Sequence, residues 1–112
     1  REGMEWLSKR VKRFLEKFSS LYLSLDMDVL DPAYAPAASN PEPEGLTPTM
    51  VLSLLEALTF PKLPRIIGLD LVEFSPLYDN GVTAILASRL LFESLCLIEA
   101  SRRGWESKYI GF

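Results

Sequence analysis

YLSLDMDVLDP, residues 22–32, places three carboxylates within six positions, directly after a run of strand-forming apolar residues. Residues 21–25 are short and apolar and open into Asp26, which predicts a buried strand. Carboxylates repel one another unless a positive charge lies between them, so Asp26, Asp28 and Asp31 need a partner. The stretch therefore predicts a strand that ends in a group of acidic side chains with a specific task.

The rest of the chain predicts an α/β fold around this strand. Apolar residues at helical or strand spacing predict helices at about 4–18, 47–58 and 82–103, and strands at about 21–26 and 65–72. A helix between two strands predicts parallel pairing. Because two parallel strands alone do not form a stable sheet, we expect a chain that oligomerises or that lacks its neighbouring strands.

Charge and composition narrow the class of function. The net charge is −3, which gives no reason to expect a nucleic acid or an anionic membrane as partner. The hydrophobic stretches are too short to span a bilayer. The one cysteine, Cys96, fits a cytoplasmic protein, and its apolar neighbours predict a core position. Residues 1–112 are expected to be a single, partial domain, since the chain begins inside a predicted helix.

Five acidic residues follow the two predicted strands. Asp26 and Asp28 end the first strand, and Asp70, Glu73 and Asp79 lie at or just past the end of the second. In parallel α/β sheets, sites form outside the carboxyl ends of the strands, so all five are expected in one crevice. Residues i and i+2 of a strand share a face, which predicts that Asp26 and Asp28 converge. Such oxygen donors suit hard divalent cations.

Two known uses of a D-x-D pattern are compared with this chain. A calcium-binding EF-hand loop needs glycine and glutamate where this sequence has Asp31 and Ala37, so that use is excluded. A phosphatase of the haloacid dehalogenase type also begins with an apolar strand and D-x-D, but Val29 and Leu30 are out of its register. That phosphatase fragment and a non-catalytic, self-associating α/β module are kept as alternatives.

SLDMDVLDPAYAPAASNPEPEGLT, residues 24–47, resembles the signature of the ureohydrolases, which are the arginase, agmatinase and formimidoylglutamase enzymes. GLDLVEFSPLYD, residues 68–79, resembles a later segment of the same family in its agmatinase form. The resemblance implies the C-terminal third of a three-layer α/β/α fold. It also implies an enzyme that hydrolyses a guanidino compound such as agmatine to urea and an amine, with two manganese ions that share a bridging hydroxide.

The same resemblance assigns roles to three residues. Asp26 is expected to bridge the two manganese ions, and Asp28 is expected to bind one of them. Glu73 is expected to pair with the guanidinium group of the substrate. The family takes its other ligands from two histidines and two aspartates in N-terminal motifs, and this sequence contains no histidine. The isolated chain is therefore expected to be inactive, and the parent protein to be a homo-oligomer.

The remaining acidic residues are expected to support the site. Asp31 is expected to shape the proline-rich loop, and Asp79 is expected to cap a loop or helix. Asp70 is expected to contact the metal-ligating side chains without binding the metal itself.

Three positions depart from the family pattern, one of them Met50, where the family often has glutamate. Glu44 stands where the family usually has glycine, and Asn40 stands where it commonly has threonine. These departures leave open which guanidino substrate is used.

Overall fold

The computed structural model describes residues 2–59 and 65–104. Its elements, in chain order, are α1 (Glu2–Leu15), β1 (Ser20–Asp26), α2 (Pro48–Thr59), β2 (Arg65–Val72) and α3 (Val82–Arg102). Short 3₁₀ turns at Met27–Val29 and Pro76–Tyr78 follow the two strands. The predicted α/β order is confirmed, although α1 ends at Leu15 rather than near residue 18. The predicted helix stop at 60–64 and the C-terminal tail lie outside the described residues.

The two strands pair in parallel, as predicted. Leu21 lies opposite Ile66 and Tyr22 lies opposite Gly68, so the register shifts by one residue at Ile67. From there the pairing is regular up to Asp26, which lies opposite Val72. The last residues of both strands therefore reach the same border of the sheet, which we name the carboxyl edge.

The two faces of the sheet differ in what covers them. Leu23, Leu25 and Leu71 pack against the hydrophobic core. Because side chains alternate along a strand, Tyr22 and Ser24 point to the other side of the sheet, and both are exposed. We name this second side the open face. Tyr22 is 57% exposed there, and a side chain on Gly68 would collide with its ring.

The core lies between the sheet and the helices. Thr47 begins α2 as predicted, because its hydroxyl accepts a hydrogen bond from the backbone N–H of Met50 at 3.2 Å. The helix then turns Val51 and Leu55 inward, one helical turn apart. The buried cluster consists of Met27, Leu30, Ala35, Ala38, Val51, Leu55, Ala87, Leu90 and Leu97.

The proline-rich segment between β1 and α2 is an ordered, closed loop, as predicted. Its ends pair where the Asp31 N–H donates to the carbonyl of Leu46 at 3.0 Å. The Asp31 carboxylate accepts from the N–H groups of Ala33 at 2.8 Å and Gly45 at 3.2 Å, which confirms its loop-shaping role. A Cβ on Gly45 would lie 2.5 Å from the Asp31 nitrogen, so only glycine fits at this crossing.

The prediction for α3 is wrong in one respect. Cys96 is exposed rather than buried, because α3 turns Leu90, Glu93 and Leu97 toward the interior and Cys96 lies on another face. Apolar Phe92 is also 64% exposed. No helix in the described part of the chain is long and apolar enough to cross a membrane.

Candidate functional site

Asp26 and Asp28 come together at the end of β1, but not by the predicted route. The strand ends at Asp26, and Asp28 belongs to the 3₁₀ turn that follows. The Asp26 carboxylate accepts a hydrogen bond from the Asp28 N–H at 2.9 Å and so caps that turn. Strand alternation is therefore the wrong reason for their proximity. Met27, within the turn, stays in the core, with 1% of its surface exposed.

Asn40, in the closed loop, holds the Asp28 side chain. The backbone N–H of Asn40 donates to one carboxylate oxygen of Asp28 at 2.9 Å. The side-chain amide of Asn40 donates to the other oxygen at 3.3 Å. The two contacts fix the plane of the half-buried carboxylate. The sequence marked Asn40 only as a departure from a family pattern, so this contact was not foreseen.

Glu73 directly follows β2 and has an unusual backbone. Its φ is 62°, in the left-handed region of backbone conformation that residues other than glycine rarely adopt. Its side chain is exposed, and its carbonyl accepts a hydrogen bond from the N–H of Ser39 at 3.0 Å. A strained backbone at a polar, exposed side chain is a frequent mark of a functional position.

One short stretch of the closed loop connects these residues, and we name residues 37–40 the tie segment. Its Ser39 binds the backbone of Glu73, and its Asn40 binds the Asp28 side chain. The Ala37 carbonyl also accepts a hydrogen bond from the N–H of Ser75 at 2.9 Å. The ends of the two strands are thus held side by side by a single segment, at the carboxyl edge.

Asp70 lies on the open face, paired with Ser24 rather than with Asp26. Its carboxylate accepts from the Ser24 hydroxyl at 2.5 Å and from the Tyr22 hydroxyl at 2.8 Å. These two bonds, chiefly the one from Ser24, lower the pKa of Asp70 below its ordinary 3.8. The bond to Asp70 in turn raises the pKa of Tyr22 above 10. Both carboxylate oxygens of Asp70 therefore serve the pairing of the strands.

Asp79 caps the start of α3, as predicted. Its carboxylate accepts from the Thr83 hydroxyl at 2.6 Å and from the N–H groups of Gly81 at 2.9 Å and Thr83 at 3.0 Å. The hydroxyl bond from Thr83 is the main cause that lowers the pKa of Asp79. Thr83 is fully buried and had not been singled out in the sequence.

The structure does not gather the five carboxylates into one group of metal ligands. Among residues 2–59 and 65–104, no three histidine, cysteine, aspartate or glutamate side chains converge closely enough to hold a metal ion. Asp70 is bound by hydroxyls on the open face and Asp79 by the first turn of α3, so both have structural roles away from the turn that holds Asp28. Asp26 and Asp28 remain as adjacent hard oxygen donors. Among the described residues, Asp26 and Asp28 are thus two candidate ligands, and no complete metal site is formed.

The fold and this edge define an α/β protein with paired carboxylates at the carboxyl ends of parallel strands. The chain matches the model of the Arginase family over residues 1–96. It is 48% identical over 79 residues to the mitochondrial agmatinase of Gallus gallus. This match covers 70% of this chain and 22% of that protein. The mitochondrial guanidino acid hydrolase of Homo sapiens gives the same identity and coverage. The chain belongs to the arginase family.

Solved structures agree in fold. The crystal structure of the agmatine ureohydrolase of Thermoplasma volcanium superposes with a TM-score of 0.76 and 43% sequence identity. The superposition covers 92% of this chain and 33% of that one. The chain thus spans about a third of this solved structure and about a fifth of the curated relatives named above. Family membership favours the ureohydrolase interpretation over the phosphatase alternative.

Proposed function

We propose that this chain forms one side of the active site of an agmatinase-like amidinohydrolase. The observation that carries the proposal is the carboxyl edge, where the tie segment joins Asp28 to the backbone of Glu73. Membership of the arginase family supports the reaction class. Residues 1–112 would then be a single, partial domain. The remaining metal ligands would come from a segment that corresponds to the part of the relatives that this chain does not match.

Asp26 and Asp28 are proposed as the residues of this chain that would hold a pair of manganese ions. When bound, the pair would supply a water molecule of lowered pKa next to the substrate. One oxygen of the Asp26 carboxylate accepts a hydrogen bond from the N–H of Asp28, which fixes the orientation of the Asp26 side chain. Asn40 fixes the Asp28 carboxylate in the same way. The chain's own contribution is therefore to hold two oxygen donors in set directions before a metal arrives.

Glu73 is proposed to bind the guanidinium group of the substrate. A carboxylate can accept two parallel N–H bonds from this planar cation, which fixes the position of its central carbon. Water adds to that carbon and the bond to the substituted nitrogen breaks. The guanidinium ion and water thereby become urea and a protonated amine, so atoms and charge balance. The acidic edge also attracts the cationic substrate before contact.

The relatives leave the rest of the substrate open. The chain is equally similar to a protein named as an agmatinase and to one named as a guanidino acid hydrolase. Agmatine carries an amine at its far end, whereas a guanidino acid carries a carboxylate. Both kinds of compound must therefore be assayed.

A chimera tests the proposal. The matching third of the Thermoplasma volcanium protein is replaced by residues 1–104 of this chain, and urea release from agmatine and from a guanidino acid is measured with manganese. We expect the chimera to release urea, and we expect the 112-residue chain alone to release none. Glu73→Gln keeps the size of the side chain but removes its charge, so kcat/KM is expected to fall about 100-fold.

Glu42→Gln is the matched control, because Glu42 is an exposed glutamate of the closed loop. It is expected to leave kcat/KM within about twofold. A folded chimera that releases no urea from either kind of substrate would refute the proposed function. Equal losses in the two glutamine variants would refute the role of Glu73.

A second candidate is the self-associating, non-catalytic module. It is favoured by large apolar side chains left in solvent, such as Ile67 at 64% and Ile85 at 75% exposure. Light scattering of the chain as a function of concentration tests it, and a monomer at all concentrations would exclude it. The homo-oligomer of the parent and its cytoplasmic location stay predictions, as does the absence of nucleic acid and membrane partners. Size-exclusion chromatography and cell fractionation test the first two.

A further inference from the structure

Thr83, in the first turn of α3, has a fully buried hydroxyl that joins two separate parts of the chain. The hydroxyl donates to the Asp79 carboxylate at 2.6 Å and accepts from the backbone N–H of Ala37 at 3.0 Å. The direction of both bonds is fixed, because a backbone N–H can only donate and an ionised carboxylate can only accept. A single hydroxyl thus connects the cap of α3 to the closed loop, across 46 positions of sequence.

Ala37 is the first residue of the tie segment. Two residues further on, the Ser39 N–H holds the backbone of Glu73 at 3.0 Å. Asn40 then holds both carboxylate oxygens of Asp28. The segment is buried at its start, since Ala37 and Ala38 have no exposed surface, and it becomes exposed at Asn40. The anchored end is therefore the one that Thr83 binds, and the two candidate site residues depend on the other end.

We propose that Thr83 is a positioning residue, whose hydroxyl sets the tie segment and thereby the placement of Asp28 relative to Glu73. The relevance for catalysis rests on the proposed function, but the effect on the tie segment does not. Asp79 contributes to the same positioning, because its carboxylate accepts the hydrogen bond from the Thr83 hydroxyl and so leaves the hydroxyl lone pairs for the Ala37 N–H. Neither residue touches the site, so both act through the loop.

Removing the hydroxyl has a local cost. Thr83→Val keeps the branched shape but leaves the buried Ala37 N–H without its acceptor, which is unfavourable in an apolar environment. The tie segment keeps its other bonds to Ser75 and Glu73, so we expect it to loosen without global unfolding. Thr83→Ser restores the hydroxyl on a smaller side chain and should restore the order of the segment.

Amide hydrogen exchange of the full chain, followed by NMR, is the first test. In Thr83→Val, the amides of Ser39 and Asn40 are expected to exchange about tenfold faster, while that of Leu55 in α2 changes little. Thr83→Ser is expected to return them to within about twofold of the native rates. Ser88→Ala is the control and is expected to leave these rates unchanged, because the Ser88 hydroxyl donates to the Ala84 carbonyl within α3 at 2.8 Å.

Equal acceleration at Ser39, Asn40 and Leu55 would mean a general loss of stability and would overturn the proposal. Unchanged exchange at Ser39 and Asn40 in a folded Thr83→Val chain would overturn it as well. The kinetic test uses the chimera, where Thr83→Val is expected to lower kcat/KM by about tenfold to 100-fold, with a raised KM, and Thr83→Ser to recover it. A merely structural role would reduce the amount of active enzyme and leave KM unchanged.

The two proposals fail in different ways. If the native chimera releases no urea but exchange at Ser39 and Asn40 responds to Thr83→Val, the proposed function fails and the coupling through Thr83 stands. If the chimera is active but Thr83→Val leaves both KM and exchange unchanged, the function stands and the inference fails. The chain's own exchange data keep the inference testable even where the chimera does not fold.

Discussion

Asp28, in the turn at the carboxyl edge, and Asp70, on the open face of the sheet, each accept two hydrogen bonds. The donors differ. Asp28 is held by the backbone and side-chain amide of Asn40, which lies in a loop. Asp70 is held by the hydroxyls of Ser24 and Tyr22, which lie on the neighbouring strand. The loop donor fixes a carboxylate at the end of the sheet, whereas the two donors on the paired strand mainly fix the register of that strand.

The comparison shows how position separates two aspartates that look alike in sequence. Both follow or lie within apolar strands, and both were expected at one crevice. The open-face aspartate stabilises the pairing of β1 with β2, whereas the edge aspartate is left facing the end of the sheet, where sites form. Their substitutions should therefore affect different properties of the protein.

The largest expected effect comes from exchanging each aspartate for asparagine in the chimera. Asp28→Asn removes a proposed metal ligand, so the rate of urea release is expected to fall about 1,000-fold. Asp70→Asn is expected to lower the rate by less than about tenfold and to lower the melting temperature instead. Urea assays and thermal denaturation of both variants check this. A greater loss of activity in Asp70→Asn than in Asp28→Asn would reverse the assignment.

Two glycines test how rigid each region is. Gly45→Ala places a Cβ 2.5 Å from the backbone nitrogen of Asp31, which cannot easily move, so the free energy of unfolding is expected to fall by about 3 kcal/mol. Gly68→Ala meets the ring of Tyr22, which is largely exposed and can rotate away at the cost of its bond to Asp70, so a loss of about 1 kcal/mol is expected. Urea denaturation followed by circular dichroism measures both. Equal losses would mean that the two regions are equally rigid.

Part of the pH dependence of stability should arise on the open face. The pKa of Asp70 is lower in the folded state, so its stabilising contribution is present above about pH 3.8 and is lost as the pH falls through the folded value. The pKa of Tyr22 is raised, so its contribution is present below pH 10 and is lost as the pH rises through the folded value. Tyr22→Phe is expected to raise the pKa of Asp70 toward its ordinary value, as measured by carbon-13 NMR. An unchanged pKa of Asp70 would show that the Tyr22 bond is absent in solution.

The smallest expected effect concerns backbone strain near the edge. Glu44 and Glu73 have φ values of 61° and 62°. Glu44→Gly relieves the left-handed strain but makes the unfolded chain more flexible, so a net gain of about 0.5–1 kcal/mol in unfolding free energy is expected. Glu73→Gly should stabilise similarly but abolish activity in the chimera. Chemical denaturation measures the change in unfolding free energy of Glu44→Gly. A loss of stability in this variant would show that the Glu44 side chain itself stabilises the fold.

Local patterns were enough to predict the elements and the parallel pairing. The Thr47-Pro48 pair predicted the start of α2, and the Thr47 hydroxyl does cap it. Asp31 and Asp79 also have the predicted loop and cap roles, because each binds N–H groups within its own loop or turn. These features depend on residues close in sequence, which is where sequence patterns are informative.

The hydrogen bonds that hold the candidate site join residues far apart in sequence, and they were not predicted. Thr83 and Ala37 are 46 positions apart, and nothing in either neighbourhood indicates their contact. The turn at Asp28 was mistaken for strand because Met27 continues the inward alternation of the β1 leucines, so the apolar pattern does not show where the strand ends. Cys96 was misplaced because α3 is apolar on several faces, so its sequence does not reveal which face is buried.

The most direct measurement is the manganese content of the purified chimera and of its Asp28→Asn and Asp70→Asn variants. We expect about two manganese ions per subunit in the native chimera and in Asp70→Asn, as in a two-metal hydrolytic site. Asp28→Asn is expected to retain about one or fewer. Full manganese content in Asp28→Asn, with depletion in Asp70→Asn, would contradict the proposal that the carboxyl edge carries the site.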